Sequence, residues 1–267
     1  MLIEAALAFG VTFASVWRAT DINEQTLNTL KRAYNEHEDA LYELDTHKKK
    51  ANDSLTKLVN RKKAILSQRM DRFLSVYQKI REIDFRPGEG IIELYSRQFS
   101  VDVAEELKVM TVSSMKPMSE KELVLTYLIS PLGMGGAILE ESKRNAQIAN
   151  SQMQIARTLS AQTELLMAAV DAIGQRAEQL ANLLSQFSVL FGKSIDQTEQ
   201  IIGRNGTNRE LYSDRELEIL MNCVNLAHAI KAILDTPILN ADGSVTEASL
   251  QALDDGSRRL QEFQNRV

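Results

Sequence analysis

The sequence contains few of the residues from which metal sites and covalent frameworks are built. Its 267 residues include one cysteine, Cys223, and three scattered histidines, His37, His47 and His228. A single cysteine excludes an intrachain disulfide framework and a cysteine-based zinc site, and it favours a reducing compartment. Scattered histidines give little support to a histidine-based metal site. We therefore expect no metal ligands, no cofactor-binding residues and no cofactor.

Proline, glycine and aromatic residues are also scarce, with 4 prolines, 12 glycines and 6% aromatics. The four prolines are Pro87, Pro117, Pro131 and Pro237, so residues 1–86 and 132–236 contain no proline. Proline inside a helix costs about 3 kcal/mol, so long tracts without it can hold long helices. This composition predicts an all-α protein.

The net charge of −5 disfavours a general nucleic-acid binder, which usually has an excess of basic residues. The basic stretch at residues 47–69 has no aromatic residues between its cations, and the cations are spread around the helix. This pattern favours a solvated helix face over an anion-binding surface. The sequence has no phosphate-loop, zinc-protease or nucleophile-elbow motif. We expect no nucleic-acid partner, no small-molecule substrate, no catalytic residues and no enzyme activity.

Two tracts have the apolar spacing of coiled coils. In the first long helix, residues 21–84, apolar residues recur from Leu27 to Leu58 and from Leu66 to Ile83. The apolar seam is interrupted by four polar residues, His37, Lys48, Lys62 and Arg69. The step from Lys62 to Leu66 shifts its phase, which is a stutter that locally relaxes the supercoil. The helix would be roughly 90 Å long.

The second long helix is predicted over residues 137–203. Its seam is strongly apolar from Leu166 to Phe191, and a second apolar stripe implies contact with more than one helix. Residues 85–136 are a connector with an apolar corner, in which 91–112 could form a short helix or two strands. The predicted fold is all-α: an elongated antiparallel long-helix hairpin, or coiled-coil stalk, with a smaller helical bundle at one end.

The smaller bundle includes a C-terminal helical hairpin over residues 213–265. Ser213 and Glu216 form a predicted capping box at its start. Thr246 is expected to cap its last helix. The stretch at residues 240–253 is similar to a calcium loop only in part, because the first carboxylate and the bidentate glutamate are missing. Cys223 is expected to be a structural core residue.

Two segments have almost no charge. The apolar N-terminal helix, residues 1–18, is slightly short for a membrane span and does not resemble a cleaved signal peptide. Residues 123–139 are broken midway by Pro131 and three glycines. The expected membrane or partner contacts of these segments are Leu2, Ile3, Leu7, Phe9, Phe13, Trp17, Leu128, Ile129, Leu132 and Met134. A small-residue stripe suited to helix packing consists of Ala6, Gly10 and Ala14.

These features lead to three hypotheses. The first is a non-enzymatic coiled-coil scaffold that self-associates and contacts a membrane through its apolar N-terminal helix. The second is an α-helical pore-forming or membrane-inserting protein that uses residues 123–139. The third is a soluble accessory subunit whose apolar segments are buried. Expected partners are further copies of the chain or other helices, and a membrane surface. The expected location is the cytoplasm, with membrane association as part of the first hypothesis.

Overall fold

A computed structural model describes residues 24–86, 89–90, 99–117, 163–240 and 245–266. Its helices are α1 (Glu24–Ala64), α2 (Asp71–Arg81), α3 (Val101–Ser114), α4 (Thr163–Asn205), α5 (Asp214–Asp235) and α6 (Glu247–Arg266). A π-helical segment, Ile65–Met70, joins α1 to α2, and a 3-10 turn, Arg209–Leu211, precedes α5. The prediction of an all-α protein is confirmed, since the described part contains no strand beyond the isolated bridge between Leu239 and Val245.

Helix ends follow local capping chemistry. The Ser213 hydroxyl accepts from the Glu216 backbone while the Glu216 carboxylate accepts from the Ser213 backbone, so the predicted capping box is confirmed. The Thr246 hydroxyl accepts a hydrogen bond from the Ser249 backbone at 3.1 Å, which caps α6 as expected. Residues 101–112 are helical, so the two-strand alternative is wrong there.

The α1 and α4 helices form the most extensive pairing among the described elements. His47 Nδ1 lies 2.6 Å from Asp171 Oδ1, and Lys57 Nζ lies 3.7 Å from Glu178. Further along, Arg72 of α2 reaches Asp196 of α4 at 2.6 Å. Residue numbers rise together on the two sides, so the helices are parallel. The antiparallel orientation predicted from the sequence is therefore wrong.

The physical reason lies in the connection between the helices. A heptad seam specifies which face is buried but leaves the direction of the partner open. Only a short loop forces neighbouring helices to be antiparallel. Residues 82–162 separate α2 from α4, which is long enough for the chain to return to the other end of α1. The antiparallel prediction assumed that the connector, residues 85–136, returns the chain beside the end of the first long helix.

The predicted stutter coincides with the π-helical segment. Ile65, Leu66 and Met70 are all buried in it, and Phe73 follows on the same core face. A π turn holds one more residue than an α turn, so it absorbs the shift in apolar phase while the backbone stays helical. The long first helix therefore keeps one buried face from Leu44 to Ile80.

Helices α5 and α6 pack against α4, and α3 packs against α2 and the π-helical segment. The chain reverses after Asn205 at Gly206, whose φ of 61° is easily adopted only by glycine. Helix α5 then runs back along α4. In α6, Gly256 lies against Leu183 of α4 and Ile233 of α5, which allows the three helices to approach closely.

A close approach of α1 to α4 yields a testable prediction. A Cβ atom added at Gly174 would lie 3.1 Å from the Ala51 Cα atom, which is backbone and has little room to move. We expect Gly174→Ala to lower the free energy of unfolding by about 1 kcal/mol, because the clash outweighs the better helix propensity of alanine. Denaturant unfolding followed by circular dichroism measures this change.

Gly203 provides the matched control on the same helix. No atom lies within 4 Å of the position that its Cβ would occupy. Gly203→Ala should therefore stabilise the protein by up to about 1 kcal/mol through helix propensity alone. Equal stabilisation by both substitutions would show that α1 and α4 do not approach closely at Ala51.

Candidate functional site

The contact residues predicted from the sequence lie outside the described residues. These are Leu2, Ile3, Ala6, Leu7, Phe9, Gly10, Phe13, Ala14, Trp17, Leu128, Ile129, Leu132 and Met134. Two features of the described part carry unusual chemistry instead. One is a buried charged cluster formed by Lys62, Glu106, Lys231 and Asp235. The other is a polar groove between α4 and α6.

Lys62 forms the centre of the buried charged cluster. Its side chain is 1% exposed, and its Nζ donates to the backbone oxygens of Leu234 at 3.0 Å and Thr236 at 3.3 Å. The last carbonyl groups of a helix have no partner within the helix. A lysine at this end satisfies them and interacts favourably with the helix dipole. Lys62 thus ties the first long helix to the end of α5.

The other charges of the cluster converge on the same end of α5. Lys231 Nζ lies 2.5 Å from Asp235 Oδ2 and 3.0 Å from Glu106 Oε2. Glu106 belongs to α3, so the cluster joins α1, α3 and α5. The second carboxylate oxygen of Asp235, Oδ1, is buried and accepts no hydrogen bond from the described residues. Two lysines and two carboxylates therefore share one largely desolvated site.

Burial shifts the pKa values in this cluster. It lowers the pKa of Lys62 to about 7, against the opposing attraction of Asp235. Burial likewise raises the pKa of Asp235 despite its hydrogen bond from Lys231. For Lys231, burial acts to lower the pKa, but hydrogen bonds to Asp235 and Glu106 outweigh it, so the net shift is upward. Lys62 therefore exchanges its proton near neutral pH.

The cluster is a structural contact whose stability depends on whether Lys62 carries its proton. Lys62 has almost no contact with solvent, so a substrate could not reach its amine. Among the described residues, no three histidine, cysteine or acidic side chains are grouped in a way that could hold a metal ion. The sequence pattern identified Lys62 only as an interruption of the seam. Its partners at the C-terminal end of α5 and its cap lie 172 and 174 residues away along the chain.

The polar groove lies between α4 and α6 and has a volume of about 860 Å³. Its base includes Leu183 and Leu260, which are buried, and Leu253, which is half-buried. Leu250 at the rim is 52% exposed. Six amide side chains line the groove: Gln179, Asn182, Gln186, Gln251, Gln261 and Gln264. An apolar base with amide walls suits a protein surface that packs and forms hydrogen bonds.

Arg176 is the unusual charge in this groove. Its Nε and Nη1 atoms are buried and have no hydrogen-bond acceptor among the described residues. Burial lowers the pKa of this guanidinium, although arginine remains charged at neutral pH. Asp254 also lines the groove, is exposed, and forms no ion pair with another described residue. The groove thus contains one cation and one anion that are not paired with each other.

Cys223 is buried in α5, as expected for a structural residue. Burial raises the pKa of its thiol to about 11, while the hydroxyl groups of Thr198 and Ser194 oppose the shift. A thiol with this pKa has a very small thiolate fraction at neutral pH, and the thiolate is the reactive form.

Helix α5 is the one described helix that is long and apolar enough to cross a membrane. Its apolar window is 56% buried inside the bundle, and ten of its residues, including Leu220, Val224 and Ile230, are buried. The length and composition of α5 are compatible with membrane association, and the core helix of a bundle has the same character. No protein-family model, curated protein or solved structure matches this chain.

Proposed function

We propose that this protein is a non-enzymatic helical scaffold that self-associates and contacts a membrane through its apolar N-terminal segment. The observation that carries the proposal is the parallel pairing of α1 with α4. Because the two helices are parallel, both begin at the same end of the bundle, and each is preceded in the sequence by a nearly charge-free segment. Residues 1–18 precede α1, and residues 123–139 precede α4.

The sequence supplies the apolar surface that this proposal needs. Residues 1–18 and 123–139 are nearly free of charged side chains. A protein surface that contacts lipid requires apolar sequence of this kind.

Liposome flotation tests the membrane contact. We expect the full chain to float with vesicles and Phe13→Asp to reduce the recovered fraction several-fold. A carboxylate costs roughly 2.5–3.5 kcal/mol at the centre of a membrane span and less near the surface. Deletion of residues 1–17 should abolish recovery. Val189→Asp is the matched control, because Val189 is 59% exposed on α4 and far along the chain from either apolar segment.

The other hypotheses predict different outcomes. Release of a trapped dye from the vesicles, suppressed by Leu132→Asp, would favour the pore-forming protein over the scaffold. No flotation of the full chain would contradict both and favour the soluble accessory subunit. Equal recovery of the full chain and of the chain without residues 1–17 would contradict contact through the N-terminal segment.

A further inference from the structure

The polar groove between α4 and α6 is complementary to itself. Its two isolated charges, Arg176 and Asp254, have opposite signs. Its walls carry amide side chains, and each amide can both donate and accept hydrogen bonds. Its rim carries the exposed Leu250. In a twofold dimer the same surface patch meets itself, so residue i contacts residue j and residue j contacts residue i. A patch that contains both partners of an ion pair satisfies this requirement.

The unpaired guanidinium indicates that the groove is incomplete in a single copy. Arg176 has two buried nitrogen atoms without an acceptor among the described residues. Leaving such a group unpaired costs free energy, since it has lost water and gained no partner. Arg176 as a whole is only half-buried, so a carboxylate from outside the groove could pair with the exposed part of its guanidinium and offset this cost by charge attraction. Asp254 of a second copy is available because it has no ion-pair partner of its own among the described residues.

We propose that the groove between α4 and α6 is a twofold homodimer interface in which Arg176 of each copy pairs with Asp254 of the other. The proposal rests on the self-association in the proposed function and is independent of its membrane contact. Thirteen residues line the groove, fewer than the roughly 20–30 residues on each side of a standard interface. We therefore expect a weak dimer, with a dissociation constant on the order of 1–100 µM.

Sedimentation velocity of the full chain without lipid, from about 5 to 500 µM, tests the interface. The wild-type protein should shift from monomer mass to twice that mass across this range. Arg176→Glu and Asp254→Arg should each weaken dimerisation by about tenfold or more, because each places two like-charge pairs in the dimer. The double variant R176E/D254R should recover dimerisation to near the wild-type level, since both pairs form again with reversed sign.

A mixture of the two single variants provides an independent check. In a mixed dimer, Glu at position 176 faces Arg at position 254, and the native Arg176 faces the native Asp254. The mixture should dimerise more tightly than either variant alone. Asp53→Arg is the matched control on α1, where Asp53 is also exposed, and it should leave the dissociation constant unchanged.

Several results would overturn the interface. These are a wild-type monomer at all concentrations, equal dimerisation by the single variants, and failure of the double variant and the mixture to recover. Association that continues beyond a dimer and ignores the charge reversals would point to another surface. If Arg176→Glu unfolds, as judged by circular dichroism, Arg176→Gln and Asp254→Arg still test the interface, because Asp254 is exposed. Wild-type dimerisation by both of these variants would contradict the proposal. Loss of flotation with intact dimerisation would contradict the membrane contact alone.

Discussion

Phe73→Ala should lower the free energy of unfolding by about 3–5 kcal/mol, the usual cost of removing a buried aromatic ring. Phe73 is fully buried, and its ring centroid lies 5.3 Å from that of Phe99 and 5.4 Å from that of Phe191. These contacts join α2, the residue before the α3 cap, and α4. Denaturant unfolding followed by circular dichroism measures the change.

Two further variants should have smaller effects on the free energy of unfolding. Tyr42→Ala removes an aromatic ring from the same continuous helix, but Tyr42 is 78% exposed, so we expect a change within about 0.5 kcal/mol. Tyr77→Phe removes the hydroxyl that donates to the Phe99 backbone oxygen at 2.7 Å, at a cost of about 1 kcal/mol. A Phe73→Ala effect as small as that of Tyr42→Ala would contradict this aromatic core.

Lys62 should make the protein more stable as pH rises above neutrality. Its pKa is about 7 in the folded protein and 10.5 in the unfolded chain. Between these values the unfolded state binds more protons, so raising the pH favours the folded state. The contribution is up to about 5 kcal/mol over the whole window and about 1 kcal/mol for each pH unit within it.

The comparison of wild type with Lys62→Met isolates this contribution. From pH 7.5 to 8.5 the free energy of unfolding of the wild type should rise by about 1 kcal/mol relative to that of the variant. Both proteins keep Glu106, Lys231 and Asp235, the other charges that face this site. The window stays below pH 9, because Cys223, with its raised pKa, makes the folded state lose stability as pH rises above that value.

Lys63→Met is the control for the neighbouring position. Lys63 is only half-buried, and its Nζ donates to the backbone oxygen of Lys116 at 3.4 Å in an exposed contact. Because this variant keeps Lys62, its free energy of unfolding should rise between pH 7.5 and 8.5 as that of the wild type does. Parallel profiles for wild type and Lys62→Met would show that Lys62 does not release its proton on folding near neutral pH.

Local patterns predicted much of the helical structure. Leu58, Phe73, Ile80, Leu184 and Phe191 were assigned to the apolar seams, and all of them are buried. This succeeded because apolar spacing and capping residues act over one or two helical turns. The same reasoning predicted the capping box at Ser213 and the N-cap at Thr246.

Direction and long-range partners could not be predicted in this way. The seam of α4 is equally apolar in either direction, so the parallel contact of His47 with Asp171 had no local signal. Lys62 was recognised as polar, but its role depends on the carbonyl groups at the end of α5. Arg176 lies between two seam residues, and its isolation becomes evident only when α6 packs beside it.

The π-helical segment fixes the rotation of everything that follows it in the first long helix. One residue of an α-helix corresponds to about 100° of rotation. The π turn takes up one extra residue without adding this rotation, so a one-residue deletion within Ile65–Met70 would restore a regular turn and leave α2 facing the same neighbours. The same deletion within α1 has no such turn to absorb it, and it would rotate α2 by about 100° relative to the part of α1 before the deletion. Phe73 would then turn away from Phe191, and Arg72 would leave Asp196 and Glu199. The first long helix should therefore tolerate the loss of one residue at this segment and at few other places along its buried face.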